Sequence, residues 1–142
     1  MNKLSELDQS WGPFPIRLAL GIIFMAHGSQ KLFGWFGGGG LHGTAKSFAD
    51  LGIKPELVWA VVVAIVEFFG GLAVICGLLT FWAASFLAIT MIVAIIKVHW
   101  PNGFFLAKKG YEYNLILLAS SVSLMITGPG RLALDRLLFK KR

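Results

Sequence analysis

The chain has 142 residues and a net charge of +6, with 56% hydrophobic and only 14% charged residues. A soluble domain is closer to half apolar and a quarter charged, so this composition excludes an ordinary soluble protein and indicates an integral membrane protein. The single cysteine, Cys76, excludes an intramolecular disulfide and a thiolate metal cluster.

Four apolar stretches predict four membrane-spanning helices. They cover approximately residues 14–33, 57–79, 81–98 and 112–128. A helix needs about 17–25 residues to cross the hydrocarbon core, and each stretch meets this length once its polar ends are included. The predicted fold is all-α: an integral membrane four-helix bundle with short loops, forming one domain over residues 1–142.

The first predicted span contains an unusual number of polar side chains. Arg17, His27 and Lys31 fall within a sector of about 80° at the helical spacing, whereas Gln30 falls outside it. Arg17 lies near the inner edge of the span and is predicted to anchor it at that interface. His27 and Lys31 lie in the outer half, on the face that is predicted to turn toward the bundle.

The run GGGG follows this span at residues 37–40. It lacks the lysine and the preceding strand of a phosphate-binding loop, so phosphate binding is not predicted. Residues 37–44 are expected to form a flexible outer loop. A short surface helix should follow, capped near Thr44 and ended by Gly52.

The remaining spans add a buried carboxylate and a polar outer end. Glu67 is the only charge in the second span and should lie near the middle of the membrane, at the depth of His27. A charge at that depth costs about 2.5–3.5 kcal/mol on the insertion scale, so it needs a partner or water. The residues predicted to converge on one site are His27, Lys31, Glu67, Lys97, His99, Glu112 and Asn114.

These residues divide into two predicted roles. Glu67 and His27 are the catalytic candidates, because a buried carboxyl beside an imidazole can relay protons. The ligand-binding candidates are Lys31, Lys97, His99, Glu112 and Asn114. Helix capping or snorkelling at the span ends, and a structural hydrogen bond for Glu67, are the alternatives. No metal site is predicted, since the spacing of metal-binding helix motifs is absent.

The C-terminal residues 131–142, RLALDRLLFKKR, alternate apolar and basic side chains. They are predicted to form a cytoplasmic basic tail, either as an interfacial helix on an anionic leaflet or as a solvated segment. This density of basic residues places both termini in the cytoplasm. The positive charge is therefore assigned to membrane lipid rather than to nucleic acid.

Four motifs in this order resemble the DoxX family of small bacterial membrane proteins. They are RLALGIIFMAHGSQKLFG, EFFGG, the basic and histidine residues ending the third span, and GPGRLALD. The resemblance implies a four-helix bundle in the bacterial inner membrane and a link to redox physiology, since the family includes a subunit of a thiosulfate:quinone oxidoreductase and members associated with oxidative-stress complexes. The family-like polar positions are Arg17, His27, Lys31, Glu67, His99, Glu112 and Asp135.

The leading functional hypothesis is a quinone-linked redox subunit without an intrinsic cofactor. It would bind a small hydrophobic or quinone-like molecule and, if it takes part in catalysis, would do so as an oxidoreductase subunit beside redox partner proteins. Two alternatives stay open. One is a small-solute transporter or exporter acting as a homo-oligomer, and the other is a membrane scaffold that recruits soluble oxidative-stress enzymes.

Overall fold

A computed structural model describes residues 10–139, and within that range the chain is helical with no strand. The α-helices are α1 (Pro13–Leu32), α2 (Gly40–Asp50), α3 (Glu56–Cys76), α4 (Thr80–Ala94), α5 (Glu112–Thr127) and α6 (Leu134–Leu138). Helix α4 continues directly into a π-helical turn, Ile95–His99, and then a 3-10 turn, Trp100–Asn102. Two further 3-10 turns cover Trp35–Gly37 and Leu106–Lys108.

Two of these helices are long and apolar enough to cross a membrane. They are α3 and the continuous helix Thr80–Asn102, which contains α4. The other two predicted spans are also helical, as α1 and α5, but α5 has only 16 residues. The all-helical class is therefore confirmed, while the number of spans stays a prediction.

The four long helices enclose a common apolar core. Helix α1 packs along α3 and also contacts α5, while α4 packs against both α3 and α5. The short helix α2 covers one end of the α1–α3 pair. The most deeply buried apolar side chains of the core that are larger than alanine are Leu20, Phe24, Val74, Leu87 and Leu124.

Helices α1 and α3 cross at glycines. A Cβ atom at Gly28 would lie 2.4 Å from the backbone nitrogen of Phe68, and one at Gly71 would lie 2.7 Å from the carbonyl oxygen of Gly21. Only residues without a side chain permit backbones to approach this closely. The crossing therefore places residue 28 of α1 at the level of residue 68 of α3.

Arg17 is completely buried and joins three segments of the chain. Its Nε donates to the carbonyl oxygen of Val74 at 2.9 Å, and Nη2 donates to that of Ile75 at 2.7 Å, both in the last turn of α3. The remaining bonds, at 2.8–3.0 Å, go to the carbonyls of Pro129, Arg131 and Leu132. A guanidinium has five N–H donors, so all of them are used. The sequence predicts an interface anchor at Arg17, whereas the structure directs its charged group into the protein.

The segment after α5 is docked on the turn between α3 and α4. The Asp135 carboxylate accepts hydrogen bonds from the backbone N–H groups of Leu79 and Thr80, where α4 begins. In addition, the Asp135 N–H donates to the carbonyl of Gly77 at 2.8 Å. The first part of the predicted basic tail is thus bound to the helix ends rather than free. Residues 140–142 of that tail lie outside the described residues.

The prediction of a loop over residues 37–44 is wrong, because α2 already begins at Gly40. Thr44 lies inside this helix, where its hydroxyl donates to the Gly40 carbonyl at 2.8 Å. The preceding glycines permit a tight return of the chain: a Cβ atom at Gly38 would lie 2.4 Å from the carbonyl oxygen of Gln30. The glycine run therefore provides close packing against the end of α1.

We expect the substitution Arg17→Lys to lower the free energy of unfolding by at least about 3 kcal/mol, because an ammonium cannot reach the five carbonyls and leaves buried acceptors unpaired. The matched control is Arg131→Lys, whose exposed guanidinium lies over the Trp11 ring and should change stability by less than about 0.5 kcal/mol. Unfolding in detergent, followed by circular dichroism, measures both. Equal stability of the two variants would contradict the structural role of Arg17.

Candidate functional site

The candidate site is a buried ion pair between α1 and α3. The Lys31 ammonium donates a hydrogen bond to the Glu67 carboxylate. Glu67 is only 3% exposed and is the only buried carboxylate among residues 10–139. The Lys31 side chain keeps 24% of its surface exposed, so the pair can be approached from the lysine side.

The glycine crossing explains why these two side chains meet. Because Gly28 lies against the backbone of Phe68, the adjacent Glu67 lies at about the level of Gly28 along α1. Lys31 lies nearly one turn beyond Gly28, and helical side chains lean toward the N-terminus of their helix. The lysine therefore reaches back from the end of α1 to the carboxylate.

The Lys31 ammonium can donate further hydrogen bonds besides the one to Glu67. A lysine ammonium has three N–H donors, and the bond to Glu67 uses one of them. Taking both charges out of water is expensive, and replacing such a pair by apolar groups is often neutral or stabilising. Stability alone is therefore a weak reason for a Lys–Glu pair in this position, and binding or proton transfer is a better one.

His27 does not take part in the ion pair. It lies next to Gly28 and so at the depth of Glu67, as expected, but its side chain is exposed. Its ring centroid is 6.5 Å from the ring of Tyr113 at the start of α5. His27 thus borders the seam between α1 and α5, with Tyr113 opposite. Tyr113 was not among the predicted site residues, because a tyrosine at the end of an apolar stretch has no distinguishing signal.

The other predicted site residues have separate surroundings. The His99 Nδ1 atom lies 2.8 Å from the carbonyl oxygen of Lys109, and the Glu112 carboxylate accepts a hydrogen bond from the Leu106 N–H. Asn114 is buried, with its amide 3.5 Å from the sulfur of Met91, whereas Lys97 is exposed. Of the seven predicted members, the structure joins only Lys31 and Glu67 by a direct bond.

Acidic, histidine and cysteine side chains are dispersed in the part of the chain that the structure describes. Residues 10–139 contain no group of three or more of them that could hold a metal ion. His99 and Glu112, which were predicted to share a site, instead fasten backbone atoms of the loop between α4 and α5. The polar site is therefore organised around one ion pair.

Membrane-capable helices around a buried charge pair define a class of helical membrane proteins with a polar interior. Within that class, the sequence model of the DoxX family matches residues 12–100, a range that includes Arg17, Lys31 and Glu67. This chain belongs to the DoxX family and is a membrane protein.

Several relatives are similar over most of their length. The Bacillus subtilis (strain 168) protein named "Putative oxidoreductase CatD" is 36% identical over 140 residues, which cover 99% of this chain and 93% of that protein. "Inner membrane protein YqjF" of Escherichia coli (strain K12) is 30% identical over 141 residues, or 99% of each chain. An uncharacterized membrane protein of Mycobacterium tuberculosis is 33% identical, over 89% of this chain and 80% of its own. No solved structure matches significantly.

The glycine crossing can be tested with a matched pair of substitutions. We expect Gly28→Ala to destabilise the protein by about 1–3 kcal/mol, because its methyl group would overlap the backbone of α3. Gly43→Ala adds the same methyl group in α2, where nothing lies within 4 Å, and should be neutral or stabilising by up to about 1 kcal/mol. Unfolding in detergent compares them, and an equal effect of both would show that the crossing is not tight.

Proposed function

We propose that this protein is a redox-associated membrane subunit that binds a quinone-like molecule at the Lys31–Glu67 pair. The observation that carries the proposal is the buried ion pair itself, whose carboxylate lies on a membrane-capable helix and which is reachable from the lysine side. Ionisable groups in such positions commonly mark ligand or proton pathways. The oxidoreductase name of the Bacillus relative supports a redox context.

The chemistry of the pair suits a quinone head group. A quinone carbonyl oxygen only accepts hydrogen bonds, and the Lys31 ammonium has donors beyond the one that Glu67 uses. Reduction of a quinone to a quinol takes up two electrons and two protons. With two electrons from a redox partner, the Lys31 ammonium would transfer one proton to the carbonyl oxygen that it binds and regain a proton by way of Glu67, and the second proton would come from solvent.

Two neighbouring side chains complete the proposed site. His27 is exposed at the seam between α1 and α5, where an imidazole can exchange protons with the surroundings near neutral pH. The Tyr113 ring beside it offers an aromatic surface to a planar molecule. Lys97, His99, Glu112 and Asn114 are not needed for this arrangement.

The electrons for quinone reduction would have to come from another protein. The chain has one cysteine and hence no dithiol couple of its own. In this proposal a redox partner protein supplies the electrons, and this subunit binds the quinone and handles its protons. The protein would then be part of an oxidoreductase rather than a self-sufficient enzyme.

We further propose that the protein crosses a bacterial inner membrane four times, through α1, α3, the helix Thr80–Asn102 and α5, with both termini in the cytoplasm. The Arg131 N–H donates to the carbonyl of Ser10 at 3.1 Å, so the two terminal segments meet at one end of the helices, as an even number of spans requires. The basic residues of the C-terminal segment favour the cytoplasm. Activity of a periplasm-dependent reporter fused to the C-terminus would contradict this orientation.

Binding of a quinone to the purified protein tests the proposed site. We expect quinone to copurify with the wild-type protein in mild detergent, and the double variant Lys31→Met/Glu67→Gln to bind it at least about tenfold more weakly, because a charge-assisted hydrogen bond is lost. The double variant removes both charges together and so avoids a buried unpaired charge. Extraction with mass spectrometry and titration with a quinone analogue measure both quantities.

The matched control is Lys46→Met, which makes the same lysine replacement at an exposed position of α2 and should leave binding unchanged. The proposal fails if the wild-type protein neither copurifies with quinone nor binds the analogue. It also fails if the double variant binds as tightly as the wild type.

A further inference from the structure

The loop between the helix Thr80–Asn102 and α5, residues 103–111, has an ordered backbone. The N–H groups of Tyr111 and Gly110 donate to the carbonyls of Gly103 and Phe105, each at 3.0 Å. The Glu112 carboxylate accepts from the Leu106 N–H within the loop. A Cβ atom at Gly110 would lie 2.3 Å from the carbonyl oxygen of Gly103, so this closure requires glycine. The loop is thus a folded unit whose backbone polar groups are largely paired.

The loop is fastened to the end of the membrane-capable helix. His99 bonds the Lys109 carbonyl at 2.8 Å, and the Trp100 ring stacks on the Tyr111 ring with centroids 5.3 Å apart. Both anchoring residues belong to the helix Thr80–Asn102, which is long and apolar enough to cross a membrane. Consequently, residues 103–111 pack against the final turns of that helix and do not extend away from its end.

The length of α5 places the same loop at the edge of the hydrocarbon layer. Helix α5 has 16 residues, which at 1.5 Å per residue gives about 24 Å. The hydrocarbon core is about 30 Å thick, so α5 stops short of its far boundary. In the proposed four-span arrangement, the segments at the two ends of α5, among them the loop that precedes it, occupy the remaining depth. Backbone that is not helical is tolerated there only if its polar groups are paired, and those of this loop largely are.

The surface of the loop combines apolar and basic side chains. Phe105 is 64% exposed and Leu106 is 53% exposed, beside Trp100 at 63%. Lys108 and Lys109, two and three residues further on, are exposed as well. Aromatic and aliphatic side chains next to lysines are typical of segments that lie in the membrane interface.

From these observations we propose that residues 103–111 form a lipid-binding wedge: Phe105 and Leu106 enter the acyl boundary of the leaflet, and Lys108 and Lys109 bind the phosphates of anionic phospholipids. The positive charges of Lys108 and Lys109 favour anionic lipid. The depth of the loop in the membrane, which follows from the length of α5, favours lipid over a soluble partner. This site rests on the proposed crossing of the membrane by α5, but it is separate from the Lys31–Glu67 pair and does not depend on the quinone proposal.

The depth of the wedge can be measured with a fluorescent probe. A single cysteine is introduced by Leu106→Cys in a Cys76→Ala background, labelled with an environment-sensitive dye and placed in lipid nanodiscs. We expect blue-shifted emission, quenching by spin labels near the lipid headgroups and protection from aqueous iodide. The control Ser47→Cys, at an exposed position of α2, should be open to iodide. A Leu106→Cys probe that iodide quenches as strongly as the control would overturn the proposal.

The lipid preference is tested by replacing the two lysines. Native mass spectrometry of protein from mixed nanodiscs compares retained phosphatidylglycerol with retained phosphatidylcholine. Each of Lys108→Gln and Lys109→Gln should reduce the anionic preference about fivefold, whereas Lys46→Gln should not change it. An unchanged preference in the double variant overturns the assignment to anionic lipid. Inorganic phosphate added before the measurement should leave the amount of retained phosphatidylglycerol unchanged. If inorganic phosphate displaces that lipid, the site binds free phosphate and the proposal fails.

Discussion

The arrangement of the helix ends depends on the hydrogen bonds of the buried Arg17 guanidinium. Its five hydrogen bonds connect α1 to the last turn of α3 and to the segment after α5. Hydrogen bonds to a charged group contribute more than neutral ones, and a buried unpaired partner is especially unfavourable. The acceptors are backbone carbonyls of separate segments. The bonds therefore fix the path of the chain in these segments, whatever side chains the acceptor residues carry. Asp135 completes the same corner by accepting from the first N–H groups of α4.

The opposite end of α1 has a different character. There the glycine crossing brings α1 against α3, and Lys31 meets Glu67 with part of its surface still accessible. Arg17 has every donor engaged by the protein, whereas Lys31 has donors to offer. Helix α1 therefore has a cation with all its donors bonded within the protein at one end and a cation with donors left over at the other, and for this reason the proposed ligand site lies at Lys31 and not at Arg17.

The helices were predictable because long apolar runs have few alternatives to a membrane-length helix. The common depth of His27 and Glu67 was also predictable, since it follows from the rise per residue. The sequence also placed Lys31 in one cluster with Glu67, but the exclusion of His27 from the ion pair was not predictable, because it depends on the α1–α3 crossing, which close glycine contacts determine. The start of α2 at Gly40 was missed for a related reason: a glycine run resembles a flexible loop until its packing partner, here Gln30, is known.

The bonds of Arg17 also determine the order in which the molecule can be completed. The guanidinium belongs to α1, yet its partners Pro129, Arg131 and Leu132 follow 112 to 115 residues later. Until residues 129–132 are synthesised, only the carbonyls of α3 can accept hydrogen bonds from this guanidinium. Docking of residues 129–132 is consequently a late step of folding, and it gives the buried guanidinium of α1 three of its five acceptors.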